Sequence, residues 1–131
     1  MSDEKYPHFS VSELASPDTG HHEMNPDFMQ LVETLREEYG WPMKVSSGYR
    51  TPAHNDAVST TGLHGPHTTG KAIDIVVSGT RALYLVQLAT ALGFSGIGVK
   101  QSGDHARRFI HLDNLANDET SGPRPWIWSY A

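Results

Sequence analysis

An aspartate in the middle of an apolar run constrains the fold of this chain more than any other feature. Residues 72–77 read Ala-Ile-Asp-Ile-Val-Val, and this pattern predicts a strand with Ile73, Ile75 and Val77 on one face and Asp74 on the other. A carboxylate buried in such a strand without a partner would be costly. Something must therefore compensate Asp74, and a metal ion is one candidate.

Two histidines have settings that suit a metal site with Asp74. His67 lies in a loop seven positions earlier and can fold back over the strand, and His111 lies on a second predicted strand. Because adjacent strands are about 4.8 Å apart, the three side chains can converge on an ion at about 2.0–2.2 Å. Such a set leaves the fourth position of a zinc ion open for water. In the alternative, His67 is a hydrogen-bonding loop residue, Asp74 caps a turn and His111 is a packed histidine.

Composition and charge exclude several classes of protein. The 131 residues suffice for one domain with a core, and 37% hydrophobic and 19% charged residues are typical of a soluble globular protein. The formal net charge of −5 offers no basic surface for nucleic acid, and no segment is long and apolar enough to span a membrane. The absence of cysteine excludes disulfides, thiolate zinc ligands and cysteine nucleophiles. Residues 1–5 are polar, so we expect synthesis in the cytoplasm without a signal peptide, and we expect a monomer.

Capping signals mark the predicted helices. Ser10 and Glu13 have the spacing of a capping box, and Asn25 followed by Pro26 starts a helix that runs to Tyr39. Similar signals predict a short helix from Thr51-Pro52 through Val58, a loop over 59–70, a second long helix over 81–92 with Thr80 as N-cap, strands over 43–47, 97–100 and 108–113, a turn over 101–106, and an edge strand or extended cover over 123–130.

The order of these elements indicates the fold class. Helices and strands are intermixed without the regular alternation of a parallel doubly wound sheet. The pattern favours a small α+β domain spanning residues 1–131, with a short, mainly antiparallel sheet and helices packed on one side.

Arg50 is a candidate substrate contact. It follows Ser47-Gly48-Tyr49 at the end of a predicted strand, where its planar guanidinium could grip a substrate carboxylate or an oxyanion. A surface salt bridge is the alternative role.

A zinc hydrolase also needs a general base, and the sequence offers several candidates. Asp113 lies two residues from His111 on the same face of the predicted strand, Asp104 and His105 lie in the preceding turn, and His64 precedes His67. Asp113 could equally orient a ligand histidine, and Asp104 and His105 could be solvated turn residues. The spacing leaves these roles open.

Three motifs, in their order and spacing, resemble the M15 zinc peptidases. They are Ser47-Gly48-Tyr49-Arg50-Thr51, then His67 with Gly70, Ala72 and Asp74, then Phe109-Ile110-His111-Leu112-Asp113. The resemblance extends from His8 through His111 and is closest to the small M15A-like group related to zinc D-Ala-D-Ala carboxypeptidase domains. It implies a hedgehog- or DD-peptidase-like fold, within the superfamily of lysostaphin-type and hedgehog-type domains.

The resemblance also implies a site and an activity. Zinc would be held by His67, Asp74 and His111, with Arg50 as a substrate or transition-state contact. The reaction would be cleavage of peptidoglycan stem peptides, by a D-Ala-D-Ala carboxypeptidase or an endopeptidase. Many such single-domain forms are phage endolysins that reach the cell wall by holin-assisted release.

The resemblance narrows the choice of base. Relatives place this residue two or three positions before the last ligand, where the present chain has Phe109 and Arg108. Because neither can act as a base, Asp113 is the first candidate and His105 the second.

Three functional hypotheses result. The leading one is a zinc metallopeptidase that acts on bacterial cell-wall peptides, and the alternative is a catalytically inactive, zinc-stabilised module that binds the wall. A zinc hydrolase for a small amide or free dipeptide is the third. Turnover on purified cell wall separates the first two, and a comparison of sacculi with soluble dipeptides identifies the third.

Overall fold

The fold is known from a computed structural model that describes residues 2–3, 6–120 and 122–131. Of residues 1–5, for which we expect no signal peptide, positions 1, 4 and 5 lie outside the described residues. Two short 3₁₀ helices, Pro66–Thr69 and His105–Arg107, precede the strands Ala72–Val76 and Phe109–Asp113. In chain order the elements are β1 (Ser2–Asp3), β2 (Tyr6–Ser10), α1 (Val11–Leu14), α2 (Pro26–Tyr39), β3 (Lys44–Ser47), α3 (Pro52–Val58), β4 (Ala72–Val76), α4 (Gly79–Leu92), β5 (Gly96–Lys100), β6 (Phe109–Asp113) and β7 (Trp126–Ser129).

Five of the strands form one mixed sheet in the order β3-β4-β6-β5-β7. All neighbouring strands pair antiparallel except β5 and β7, which are parallel. Strands β1 and β2 form a separate antiparallel pair. The prediction of an α+β fold with a mainly antiparallel sheet is therefore confirmed, and β7 is the predicted edge strand.

One face of this sheet packs against the hydrophobic core, and the other carries polar side chains. Alternation along β4 and β6 directs Ile73, Ile75, Ile110 and Leu112 to one face, where each is at most 1% exposed. These side chains join the hydrophobic core that includes the buried faces of α2 and α4. The opposite face carries the polar residues of the same strands. Burial of each large aliphatic side chain contributes about 1.5–3 kcal/mol, so the core holds β4 and β6 in register and thereby fixes the polar face.

Local capping explains why several helices begin where the sequence predicts. The Asn25 side chain accepts a hydrogen bond from the Phe28 amide at 2.9 Å, and Pro26 is the first residue of α2. Ser10 and Glu13 form the predicted capping box of α1. Within the described part of the chain, no helix combines the length and apolar character that crossing a bilayer requires.

The predicted start of α4 is wrong, and a distant side chain explains the difference. The helix begins at Gly79, with Ser78 rather than Thr80 at the N-cap position and without a side-chain cap bond from Ser78. Instead, the Gln101 side chain accepts a hydrogen bond from the Gly79 amide at 3.1 Å. Gln101 thereby satisfies one of the free amides of the first turn.

Two segments predicted as irregular contain short 3₁₀ helices. In Pro66–Thr69, the Thr68 and Thr69 hydroxyls donate to the Gly65 and Pro66 carbonyls at 2.7 and 2.6 Å. Gly70 then adopts a left-handed conformation with φ 74° and leads the chain into β4. A Cβ atom at Gly70 would lie 2.1 Å from the Glu23 carbonyl oxygen, so this turn requires glycine.

Candidate metal centre

The register between β4 and β6 places two of the predicted ligands side by side. Asp74 and His111 are directly paired residues of the antiparallel ladder. The Asp74 Oδ1 atom lies 3.0 Å from His111 Nδ1, and the two residues are 7% and 2% exposed. The core on the other face of the sheet thus determines the position of this polar pair.

His67 enters the same site from the 3₁₀ helix that precedes β4. Its Nδ1 atom donates to the Gly48 carbonyl at 2.7 Å, in the turn after β3. This bond leaves Nε2 free, and Nε2 lies 3.3 Å from Asp74 Oδ1. A hydrogen bond from the second ring nitrogen is how metal-binding histidines are commonly oriented.

The three side chains fit a zinc ion. One ligand atom from each of His67, Asp74 and His111 lies within 4.8 Å of the other two. Two ligand atoms that each lie about 2.0–2.1 Å from a tetrahedral zinc ion are about 3.3 Å from each other. The observed distances are similar: Asp74 Oδ1 lies 3.3 Å from His67 Nε2 and 3.0 Å from His111 Nδ1. The donor set of two imidazole nitrogens and one carboxylate oxygen is also one that zinc prefers.

The electrostatics of the site favour a carboxylate between two imidazoles. Burial alone would raise the pKa of Asp74, but the adjacent His67 and His111 outweigh it and hold this pKa below its usual range. Burial alone would lower the pKa of His111, but its bonds to Asp113 and Asp74 raise it to about 9. The site therefore concentrates negative charge around His111, which favours a proton or a metal cation there.

Asp113 and Arg124 form a second layer behind His111. Asp113 is fully buried, and its Oδ2 accepts a hydrogen bond from His111 Nε2 at 2.7 Å. Arg124 holds both carboxylate oxygens, with Nε on Oδ1 and Nη2 on Oδ2, each at 2.9 Å. Burial alone would raise the pKa of Asp113, but His111 and Arg124 lower it to about 2. This arrangement points Nδ1 of His111 toward Asp74.

Arg50 lies at the other side of the metal centre and is braced by a buried residue. Its Nη2 atom lies 4.0 Å from Asp74 Oδ2, and its Nη1 atom donates to Asn55 Oδ1 at 3.1 Å. Asn55 is fully buried and in turn donates to Thr61 and to the Gly62 carbonyl. The guanidinium is therefore held next to the predicted ligand Asp74 rather than in an exposed salt bridge.

An open cleft of about 530 Å³ surrounds the three converging side chains. Arg50 and residues 58–61 line one side, and β7 with the residue after it lines the other through Trp126, Trp128 and Tyr130. The Trp128 ring centroid lies 5.0 Å from that of His111. We call Trp126, Trp128 and Tyr130 the aromatic wall.

The structure does not bring every predicted site residue to the cleft. His64, Asp104 and His105 are exposed and are not among the residues that line it. Asp113 is close to His111 but enclosed behind it. The general-base roles considered for these residues stay predictions.

Sequence reasoning missed four residues that shape the site, namely Asn55, Arg124, Trp128 and Tyr130. The alternation of aromatic residues near the end of the chain indicated that this segment packs on the domain. It did not indicate that the packing surface borders the predicted ligands. No sequence signal pointed to Arg124 or Asn55.

Three buried side chains that could bind a metal ion through nitrogen and oxygen atoms lie together in an open cleft. Such an arrangement is typical of a catalytic rather than a structural zinc site, which defines a candidate zinc hydrolase. Comparison with protein families agrees with this class. The family described as Peptidase M15 matches residues 7–113, so the chain belongs to this family, whose members are generally zinc-dependent. The predicted resemblance is thereby confirmed. A comparison with curated proteins finds no match.

Proposed function

We propose that the protein is a zinc metallopeptidase that hydrolyses peptide bonds in bacterial peptidoglycan stem peptides. The observation that carries the proposal is the convergence of His67 and His111 on one oxygen of Asp74, at 3.3 and 3.0 Å, inside an open cleft. Membership of the M15 peptidase family supports the reaction type. The motifs shared with D-Ala-D-Ala carboxypeptidase domains support the substrate class, for a carboxypeptidase or an endopeptidase.

The roles of the chain's own residues follow from this geometry. His67, Asp74 and His111 would hold the zinc ion, which when bound supplies a Lewis acid for the scissile carbonyl and lowers the pKa of water. Arg50, held next to Asp74 by its bond to Asn55, binds a substrate carboxylate or the oxyanion that develops during hydrolysis.

For Asp113 we propose the orienting role rather than that of general base. Its oxygens already accept hydrogen bonds from Arg124 and His111, and Asp113 does not line the cleft. A low pKa also makes a carboxylate a weak proton acceptor. Through His111 Nε2, Asp113 fixes the ring so that Nδ1 faces the metal position.

The test is digestion of purified sacculi by zinc-loaded protein, followed by mass spectrometry of the released peptides. New peptide termini identify the bond that is cut. His67→Ala should abolish both zinc binding and cleavage. The matched control His21→Ala removes an exposed histidine that does not line the cleft and should retain both. Cleavage that survives in the His67→Ala variant, or after complete chelation, would contradict the proposal.

The place of action follows from the substrate. A peptidoglycan hydrolase acts on the cell wall, and release with the help of a phage holin is one route by which a chain made in the cytoplasm reaches it. Lysis of cells by protein added from outside, compared with the His67→Ala variant, tests whether the wall is the target.

One observation favours a second candidate, a zinc-stabilised module that binds the wall without cleaving it. Among the described residues that line the cleft, Asp74 is the only carboxylate, and it is one of the candidate metal ligands. This candidate predicts wall binding and a zinc-dependent melting temperature without any released peptide. The digestion experiment therefore separates the two functions.

A further inference from the structure

We propose that the Tyr130 hydroxyl is a catalytic hydrogen-bond donor to the carbonyl oxygen of the scissile peptide bond. The proposal rests on the peptidase function proposed above and adds a residue outside the part of the chain that matches the family, residues 7–113. Tyr130 follows β7, whereas Arg50 follows β3, so the two residues approach the metal centre from opposite edges of the sheet.

The backbone holds Tyr130 firmly beside the cleft. Strand β7 pairs in parallel with β5, with Trp128 opposite Gly98, and the Tyr130 amide continues this pairing with a 3.0 Å hydrogen bond to the Val99 carbonyl. A Cβ atom at Gly98 would lie 2.7 Å from Trp128 Nε1 and 2.9 Å from Tyr130 Cε2. The glycine therefore lets both rings lie directly over β5, on the face that carries His111.

The ring of Tyr130 lines the cleft that also contains the candidate ligands. Its centroid is 5.0 Å from that of Phe109, which shares a face of β6 with His111. Tyr130 lines the same cleft as Arg50 and Asp74, and it is 39% exposed. No hydrogen bond donated by its hydroxyl occurs among the described residues, so the proton is available to a ligand in the cleft.

Burial helps to keep the Tyr130 hydroxyl protonated. Burial raises the pKa of Tyr130, and the carboxylates of Asp74 and Asp113 act in the same direction, whereas a hydrogen bond from Trp128 and the charge of Arg50 oppose them. Because its pKa is raised, the Tyr130 hydroxyl is protonated at neutral pH and can donate a hydrogen bond. A phenolate, which has lost this proton, could not donate a hydrogen bond.

A hydrogen-bond donor in the cleft would act on the charge that develops during hydrolysis. When the scissile carbonyl carbon becomes tetrahedral, its oxygen gains negative charge, and fixed hydrogen-bond donors stabilise that charge most in a cleft with little water. A donor that acts mainly on the developing oxyanion lowers the barrier without tightening substrate binding. This predicts an effect of Tyr130 on kcat rather than on KM.

The experiment compares Tyr130→Phe with the parent in the zinc-loaded full chain. Phenylalanine keeps the ring against Gly98 and Phe109 and removes only the hydroxyl. With muropeptides as substrate, we expect kcat to fall about 100-fold and KM to change less than about threefold. Zinc content should be unchanged. Tyr84→Phe is the matched control, because Tyr84 belongs to a separate aromatic cluster with Tyr39 and Trp41.

A second measurement does not depend on the peptide substrate. Acetohydroxamate, a small zinc-binding oxyanion, is titrated into both zinc-loaded variants, and we expect Tyr130→Phe to bind it about tenfold more weakly, the loss typical of one hydrogen bond. If the parent is active and Tyr130→Phe matches Tyr84→Phe in kcat, the role of Tyr130 is refuted while the peptidase function stands. If the parent cleaves no cell-wall peptide, the proposed function fails, and equal acetohydroxamate affinities would then refute the role of Tyr130 as well.

Discussion

Replacement of Arg124 by methionine tests whether the metal centre depends on the second layer. Methionine retains much of the aliphatic stem of Arg124 but removes the guanidinium, whose carbon lies 4.9 Å from the centroid of the Trp128 ring. It removes the two hydrogen bonds of 2.9 Å to Asp113. Asp113 is fully buried and Arg124 is 9% exposed. Among the described residues, the substitution leaves this buried carboxylate with His111 at 2.7 Å and the Leu115 amide at 3.4 Å as its partners.

The magnitude follows from this burial. Removal of one member of a buried ion pair costs about 3–5 kcal/mol of unfolding free energy, which for a chain of this length corresponds to about 11–18 °C in Tm. Because we propose that Asp113 orients His111 through their hydrogen bond, zinc affinity should also fall, by about 10- to 100-fold. Arg107→Met, which removes an exposed arginine, should change stability by less than about 0.5 kcal/mol.

The assay is thermal and urea unfolding of the metal-free protein, together with zinc titration. A double-mutant cycle with Asp113→Asn isolates the interaction, and the two substitutions should be strongly non-additive because the partners are in contact. If Arg124→Met unfolds at the same temperature as Arg107→Met, or if the cycle is additive, the second layer does not stabilise the site.

Two further predictions concern the metal and the aromatic wall. The pKa of His111 is raised to about 9 in the metal-free protein, so protonation of His111 stabilises the fold fully below pH 6.5. The free energy of unfolding should therefore fall by up to about 3 kcal/mol as the pH rises from 6.5 to 9. A zinc-loaded sample should lack this loss, and a flat metal-free profile would contradict the pKa shift. Trp126 is 57% exposed and lines the cleft; Trp126→Ala should raise KM about tenfold with kcat and zinc content unchanged, and an unchanged KM would remove it from the substrate site.

Elements whose signals are local could be predicted almost to the residue. Helix α2 carries its own N-cap, its own proline and a terminal glycine, and the structure gives it the predicted bounds Pro26–Tyr39. The start of α4 could not be predicted, because the group that satisfies its first amide is Gln101. That residue is 22 positions away, and only the finished sheet brings it there.

The same distinction applies to the candidate site. Asp74 was conspicuous because a carboxylate in an apolar strand needs a partner, and the pattern of His111 and Asp113 placed both on one face of a strand. Neither Asn55 nor Arg124 lies in an apolar run that would make a polar side chain unexpected. Their polar character is ordinary until the fold surrounds them, and only the buried contacts with Arg50 and Asp113 give them a role.

Arg124 also shows why the spacing of His111 and Asp113 could not assign a role to the carboxylate. An acid two residues after a ligand histidine lies on the same strand face whether it accepts a proton from water or orients the ring. The difference lies in what holds its oxygens. Arg124 binds both oxygens of Asp113 and, together with His111, lowers the pKa of this carboxyl. The orienting role that we propose for Asp113 therefore depends on a residue eleven positions away, across a loop.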